Sequence, residues 1–124
     1  MISQQYFKKF GQDLFKFQQS GYLCDTSLIV RDKQFQAHSV LLAAASPVFK
    51  SAIDASGQSQ KHVISFPYLN SEMVDSILQF IYTGNLELPE KFSNLQGLRN
   101  LTYVIDYLKL DTDYLNGCLV KFKR

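Results

Sequence analysis

Apolar residues near the start of the chain recur at helical spacing. Between Tyr6 and Gln18 they follow one another three or four positions apart, with lysine, glutamine and aspartate on the other side. This pattern predicts an amphipathic helix, and Ser20-Gly21 is a typical helix end. The apolar face of the predicted helix consists of Phe7, Phe10, Leu14 and Phe17.

The pattern changes from helical to alternating after this helix. Thr26–Val30 is β-branched and apolar, and polar and apolar residues alternate in Lys33–Ala37, so both segments are predicted as strands. Only Arg31-Asp32 separates them, which is short enough for a hairpin. Beyond residue 38 the spacing becomes helical again. After that helix, Ser46-Pro47 is typical of an N-cap followed by proline at the first position of a further helix.

The rest of the chain predicts one more strand and three more helices. Residues 61–66 alternate and predict a third strand added to the hairpin, in which the inward pair is either Val63 and Ser65 or Ile64 and Phe66. Residues 70–82 carry a wide apolar stripe that predicts a deeply packed helix. A further helix begins at residue 96, and a last helix follows from residue 111 or 112. The former carries Leu98, Leu101, Tyr103, Ile105 and Leu108, of which Tyr103 and Ile105 are expected to enter the core. The latter carries Tyr114, Leu115, Cys118, Leu119 and Phe122.

Composition indicates one folded domain over residues 1–124. The chain has 124 residues, of which 46% are hydrophobic and 19% charged, enough to bury a core without metals or disulfides. The formal charge is only +2, so we expect no direct contact with nucleic acid, and the apolar runs are too short to cross a bilayer. Cys24 and Cys118 lie far apart and no signal peptide precedes them, so we expect a reducing intracellular compartment.

No arrangement in the sequence is typical of a catalytic or metal site. Cys24, Asp25 and His38 supply the residue types of a cysteine nucleophile, and a cysteine-dependent enzyme is the most remote function considered. Because no glycine-rich oxyanion turn lies nearby, structural roles are favoured and no enzymatic activity is expected. The 2 cysteines and 2 histidines lack ligand spacing, so we expect neither a metal nor a cofactor.

Three motifs, in order, resemble the BTB/POZ domain family. They are LCDTSLIV at residues 23–30, FQAHSVLLAAASPVF at 35–49 and FIYTG at 80–84. The resemblance extends over about residues 7–118. It implies an α+β fold with a small three-stranded sheet flanked by a cluster of five to six helices. It also implies structural roles for Gly84 and for His38. The imidazole of His38 would bond to backbone at the strand-to-helix junction, and a switching role is the alternative.

The resemblance also implies self-association. BTB/POZ domains of the zinc-finger and kelch type use the first helix in a two-fold dimer and exchange an N-terminal strand with the partner. In this chain the phenylalanine-faced helix would lie at the edge of the fold, where burying four large side chains requires a second surface. We therefore predict a homodimer or larger homo-oligomer. The predicted interface comprises Ile2, Phe7, Phe10, Leu14, Phe17 and Leu23.

Asp25 occupies a position that belongs to a charged pocket at the dimer interface in many relatives. There it pairs with Lys or Arg immediately after the histidine, but this chain has Ser39. A buried carboxylate without a cation is costly or takes up a proton. Asp25 is therefore solvated, or bound by Arg31 or the hydroxyl of Ser39, or it caps backbone amides.

The leading parent implied by the resemblance is a nuclear, DNA-binding zinc-finger transcription regulator, with this chain as its N-terminal part. Corepressor peptides and related BTB domains are further implied partners, and a substrate adaptor for the cullin-3 ubiquitin ligase is the alternative. The loop DASGQSQK at residues 54–61 lacks the glutamate of the cullin-binding motif, which weakens that alternative. Phe15 and Gln18 stand where relatives often have Asn and Arg in the first helix, so capture of corepressor peptides does not follow from the resemblance.

Overall fold

Five helices and two small sheets make up the part of the chain that the structure describes. This computed structural model describes residues 4–57, 61–110 and 121–123. In chain order the elements are α1 (Gln4–Ser20), β1 (Thr26–Val30), β2 (Lys33–Ala37), α2 (Ser39–Ala45), α3 (Pro47–Ala55), β3 (His62–Ser65), α4 (Ser71–Thr83), β4 (Glu87–Pro89), a 3-10 turn (Glu90–Phe92), α5 (Leu95–Leu108) and β5 (Lys121–Lys123). The architecture is α+β, as the sequence predicts.

β1 is the central strand of a three-stranded mixed sheet. β2 pairs with it antiparallel and β3 pairs with it parallel, so the predicted third strand does join the hairpin. Leu28 and Val30 point into the core from β1. On the third strand Ile64 is buried while Val63 is largely exposed, and Phe66 just after it is also buried. The alternative with Ile64 and Phe66 inward is therefore correct.

α4 supplies the most deeply buried helical face. Met73, Val74, Ile77 and Leu78 are almost completely excluded from solvent, as the wide apolar stripe predicts. The side chain of Asn70 caps the helix by accepting a hydrogen bond from the Met73 amide. After Thr83 the chain leaves the helix through Gly84, whose φ of 79° lies in the left-handed region that glycine adopts without strain.

The C-terminal part differs from the sequence prediction in two respects. Tyr103 is exposed, because the buried stripe of α5 is Leu101, Val104 and Leu108 and residue 103 lies on the opposite side of the helix. Residues 111–120, which include most of the predicted last helix, lie outside the described residues. Phe122 was assigned to that helix, but it lies in β5, which pairs parallel with β4 opposite Leu88.

α1 packs against the C-terminal end of α4 at very close range. A Cβ atom at Gly11 would lie 2.4 Å from the carbonyl oxygen of Tyr82, so only glycine permits this approach. The ring of Phe15 packs beside that of Tyr82, with centroids 6.1 Å apart. The side-chain amide of Gln18 donates to the carbonyl oxygen of Gln36 at 2.8 Å and so joins α1 to β2. These contacts fix which side of α1 faces the domain.

Gly11→Ala is expected to destabilise the domain by about 1 to 3 kcal/mol. Alanine gains up to about 1 kcal/mol over glycine within a helix, but the new methyl group would overlap backbone atoms of α4 that have no freedom to move aside. Urea unfolding followed by circular dichroism measures the change. Gln12→Ala, at the exposed neighbouring position, is the control and should leave stability unchanged. A stabilised Gly11→Ala variant would contradict the close packing.

Candidate functional site

A continuous row of exposed apolar side chains lies along α1 and the turn that follows it. We call it the N-terminal surface, and its members are between 41% and 74% exposed. Tyr6 stacks on Phe10 with ring centroids 6.0 Å apart, and Phe17 contacts Tyr22 at 4.8 Å. The exposed aromatic rings therefore cover one another only partly. The N-terminal surface consists of Tyr6, Phe7, Phe10, Phe17, Tyr22 and Leu23.

The helical phase explains why Phe10 and Phe17 lie outside the core. Gly11, Phe15 and Gln18 follow at i, i+4 and i+7 and form the face of α1 that docks on the domain. Phe10 and Phe17 each precede a docked residue by one position, which rotates them by about 100° away from that face. With one aromatic side chain on the docked face and several outside it, α1 leaves most of its aromatic side chains exposed in the described part of the chain.

The structure places four of the six predicted interface residues in the N-terminal surface, namely Phe7, Phe10, Phe17 and Leu23. Leu14 is only half exposed, at the border of the docked face, and Ile2 lies outside the described residues. Sequence reasoning missed Tyr6 and Tyr22. The position of Tyr6, one helical turn before Phe10, was a signal that could have identified it.

The turn at residues 21–24 contains a leucine in an unusual backbone conformation. Leu23 has a φ of 57°, in the left-handed region, which costs a residue with a side chain about 1 to 2 kcal/mol. Its side chain is 74% exposed, so burial within this chain does not compensate that cost. Local hydrogen bonds maintain the turn, from the Tyr22 amide to the Phe17 carbonyl at 2.9 Å and from the Cys24 amide to the Gly21 carbonyl at 3.2 Å.

His38 lies behind this turn and holds hydrogen bonds at both ring nitrogens. Nε2 is 2.9 Å from the carbonyl oxygen of Tyr22, and Nδ1 is 2.6 Å from the hydroxyl oxygen of Tyr82. The Tyr82 hydroxyl also accepts from the His38 backbone amide at 3.0 Å. Since a carbonyl only accepts, Nε2 carries a proton, and in the neutral imidazole Nδ1 then accepts from the hydroxyl. Burial raises the pKa of Tyr82 to about 12, so the hydroxyl keeps its proton.

Asp25 is bound by Ser39 in place of a cation. Oδ2 accepts from the Ser39 hydroxyl at 2.6 Å, and Oδ1 accepts from the Ser39 amide at 2.7 Å and the Thr26 hydroxyl at 3.2 Å. Burial alone would raise the pKa of Asp25, but the hydrogen bonds from Ser39 outweigh it and the pKa is lowered. His38 is the N-cap of α2 and makes no capping bond with its side chain. The Asp25 carboxylate, which lies just before β1, therefore caps α2.

Cys24 is placed differently from an activated nucleophile. Its sulfur lies 3.8 Å from Nε2 of His38, but that nitrogen is already directed at the carbonyl of Tyr22. Burial and the charge of Asp25 raise the pKa of the Cys24 thiol, which disfavours the thiolate that nucleophilic catalysis requires. Cys118 lies outside the described residues.

Neither a metal cluster nor a membrane span is found in the described segments. Within residues 4–57, 61–110 and 121–123, no three histidine, cysteine, aspartate or glutamate side chains converge closely enough to hold a metal ion. None of the described helices combines the length and the hydropathy needed to cross a bilayer.

Comparison with known proteins identifies the family. The BTB/POZ domain matches residues 14–114. Zinc finger and BTB domain-containing protein 43 of Mus musculus is 36% identical over 78 residues, which cover 63% of this chain and 16% of that protein. Hypermethylated in cancer 2 protein of Danio rerio is 35% identical over 106 residues, covering 84% of this chain and 18% of that protein. The chain thus spans less than a fifth of the length of these curated relatives.

The fold is also that of a solved BTB domain. The BTB domain of zebrafish PATZ1 superposes with a TM-score of 0.75 at 20% sequence identity, covering 95% of this chain and 92% of that chain. The α+β architecture is therefore that of a BTB domain. The chain belongs to the BTB/POZ domain family, as its motifs predict.

Asp25→Asn is expected to lower the free energy of unfolding by about 1 to 2 kcal/mol at pH 7, because the charged cap of α2 is lost. The folded-state pKa of Asp25 lies below its unfolded value, so its stabilisation is present above about pH 4 and is lost as the pH falls through the folded pKa. The difference in the free energy of unfolding between Asp25→Asn and the wild type should therefore shrink as the pH falls. Denaturant unfolding at pH values from 7 to 2.5 measures this difference.

Asp54→Asn is the matched control for this pH series. Asp54 pairs with Lys50 on the exposed side of α3, where such ion pairs contribute little. A pH-independent difference between Asp25→Asn and the wild type would contradict the role of the carboxylate as a charged cap.

Proposed function

We propose that this domain self-associates as a homodimer or larger homo-oligomer through its N-terminal surface. The observation that carries the proposal is the exposure of Tyr6, Phe10 and Phe17 on α1 outside the face that docks on α4, together with the exposed Phe7 one turn before Gly11. Contiguous exposed apolar patches mark interaction sites on folded proteins. A second copy is the proposed occupant because a two-fold contact covers the same surface on both molecules.

The continuity of the surface supports this assignment. It runs from the first turn of α1 to Leu23, and the strained left-handed backbone of Leu23 presents another apolar side chain at its end. Strain of this kind is found where a side chain must be held for a contact. The exchange of an N-terminal strand that includes Ile2 belongs to the same proposal.

We further propose that the domain joins copies of a longer nuclear, DNA-binding zinc-finger transcription regulator. The support is the name and length of relatives such as zinc finger and BTB domain-containing protein 43, of which the matched segment is 16%. Joining two DNA-binding arms makes the second contact intramolecular and raises apparent affinity by roughly 10²- to 10⁴-fold. Related BTB domains and corepressor peptides are the further partners, and DNA contact belongs to the other domains.

Sedimentation velocity at micromolar concentration is expected to show a dimer or larger species, and Phe10→Asp is expected to be a folded monomer. A buried aspartate at a two-fold interface places two uncompensated charges there, whereas the same residue in the monomer is solvated. Tyr103→Asp is the control, since Tyr103 is an aromatic residue in the middle of a helix with nearly the same exposure, 53% against 51%.

The control variant Tyr103→Asp should associate like the wild type. A monomeric wild-type domain would overturn the proposed self-association. A Phe10→Asp variant that associates normally would show that another surface is used.

Leu23→Asn is expected to weaken self-association while leaving the stability of the monomer unchanged or higher by up to about 1 kcal/mol. Asparagine adopts the left-handed backbone conformation more readily than leucine, so the monomer becomes more stable. The apolar side chain of Leu23 is, however, removed from the N-terminal surface. Analytical ultracentrifugation gives the association constant, and urea unfolding of the dilute, monomeric protein gives the stability. A variant with unchanged association would remove Leu23 from the interface.

A further inference from the structure

The imidazole of His38 connects the 21–24 turn to the body of the domain. The described backbone hydrogen bonds that involve residues 21–24 remain within α1 and the turn, such as those from the amides of Tyr22 and Cys24. The bond from Nε2 of His38 to the Tyr22 carbonyl reaches the turn from a residue 16 positions away. It therefore links the far end of the N-terminal surface to the corner between β2 and α2.

The ring of His38 is itself held from the core side. Nδ1 lies 2.6 Å from the hydroxyl oxygen of Tyr82, a residue of α4 that is only 5% exposed. The same hydroxyl accepts from the backbone amide of His38 at 3.0 Å, so ring and backbone share one anchor. The two rings also contact at a centroid distance of 5.7 Å. Because the ring is held at Nδ1, its Nε2–H group is directed at the Tyr22 carbonyl.

We propose that His38 is a positioning residue for self-association: its ring holds the 21–24 turn against α4 and so presents Tyr22 and Leu23 to a second copy. The inference rests on the proposed self-association and adds a residue outside the N-terminal surface to it. Tyr22 is held through its carbonyl, which leaves its ring free to contact Phe17, and Leu23 follows directly in its left-handed conformation.

Preorganisation is the physical reason for this role. A turn that is free in the monomer must be ordered on association, and the entropy lost then reduces the affinity. The bond from His38 orders the turn beforehand, in the separate molecule. Removing that bond is therefore expected to lower the association constant more than the loss of monomer stability alone would explain.

Two amide replacements separate the two bonds of the imidazole. In His38→Asn the side-chain oxygen reaches the place of Nδ1 and can accept from Tyr82, while the bond to Tyr22 is lost. In His38→Gln the side-chain nitrogen reaches the place of Nε2 and can donate to the Tyr22 carbonyl, while the acceptor for Tyr82 is lost. The two variants therefore compare loss of the bond to Tyr22 with loss of the bond to Tyr82, using side chains of similar chemistry.

The experiment measures the association constant by sedimentation equilibrium and the unfolding midpoint of each variant at concentrations where it is monomeric. His38→Asn is expected to associate at least about tenfold more weakly than wild type, whereas His38→Gln should remain within about threefold. The monomer of His38→Asn should be at least as stable as that of His38→Gln. A purely structural histidine would instead weaken association in proportion to the loss of monomer stability.

The outcomes distinguish this inference from the proposed function. A monomeric wild type overturns the proposed self-association itself. A wild type that associates, together with a His38→Asn variant of equal affinity, overturns only the positioning role, as does equal weakening of both variants. If His38→Asn does not fold, Tyr82→Phe releases the ring at Nδ1 and should weaken association relative to Tyr68→Phe, an exposed tyrosine. Unchanged association of Tyr82→Phe would then overturn the positioning role.

Discussion

The hydrogen bonds at residue 38, where β2 becomes α2, join separate elements of the domain because its polar groups are satisfied from α4 and from the turn after α1. The hydroxyl of Tyr82 bonds both the amide and the ring of His38, and leaving such half-buried groups unpaired would cost about 1 to 3 kcal/mol each. The backbone carbonyl of the same tyrosine is the surface that Gly11 approaches. One residue of α4 therefore locates both α2 and α1.

Asp25 adds a second constraint at the same corner. Its carboxylate, just before β1, binds the hydroxyl and the amide of Ser39 at the first position of α2. A lysine at position 39 would provide a charge but would remove the 2.6 Å hydroxyl bond. In this chain the pairing is internal and short-ranged, so Asp25 stabilises the corner of each molecule without requiring a cation from a partner.

The sequence predicted what depends on local periodicity. β1 and β2 have the predicted bounds, and α1 extends the predicted helix from Tyr6–Gln18 to Gln4–Ser20, because alternation and helical spacing are properties of neighbouring residues. The pairing of β5 with β4 was not predictable, since a three-residue strand has no pattern of its own. Tyr103 was misassigned because a helix with both Tyr103 and Val104 has two possible apolar stripes, and tertiary packing selects one.

The site was less predictable than the fold for a similar reason. The phenylalanine spacing in α1 identified an apolar face, but Gly11 determines which side docks, and its role appears only when the carbonyl of Tyr82 lies against it. The partner of Asp25 remained open between a cation, a hydroxyl and backbone amides, because residues 25 and 39 meet only through the hairpin. Tyr22 was missed because it follows the end of α1 and lies outside the helical spacing that identified the other aromatic residues.

The geometry of α1 also explains how one helix could serve both the fold and the proposed interface. Its docked side uses a glycine, one aromatic ring and a glutamine, so attachment depends on close approach and hydrogen bonding more than on apolar area. The aromatic rings are thereby left on the outer side of α1. A two-fold contact would bury the same rings in both copies. Because attachment and exposure rest on different residues, the outer side chains can change partner or affinity without loosening the helix. Gly11 fixes where α1 docks and His38 bonds the turn after it, so these two residues limit that freedom in the proposed assembly.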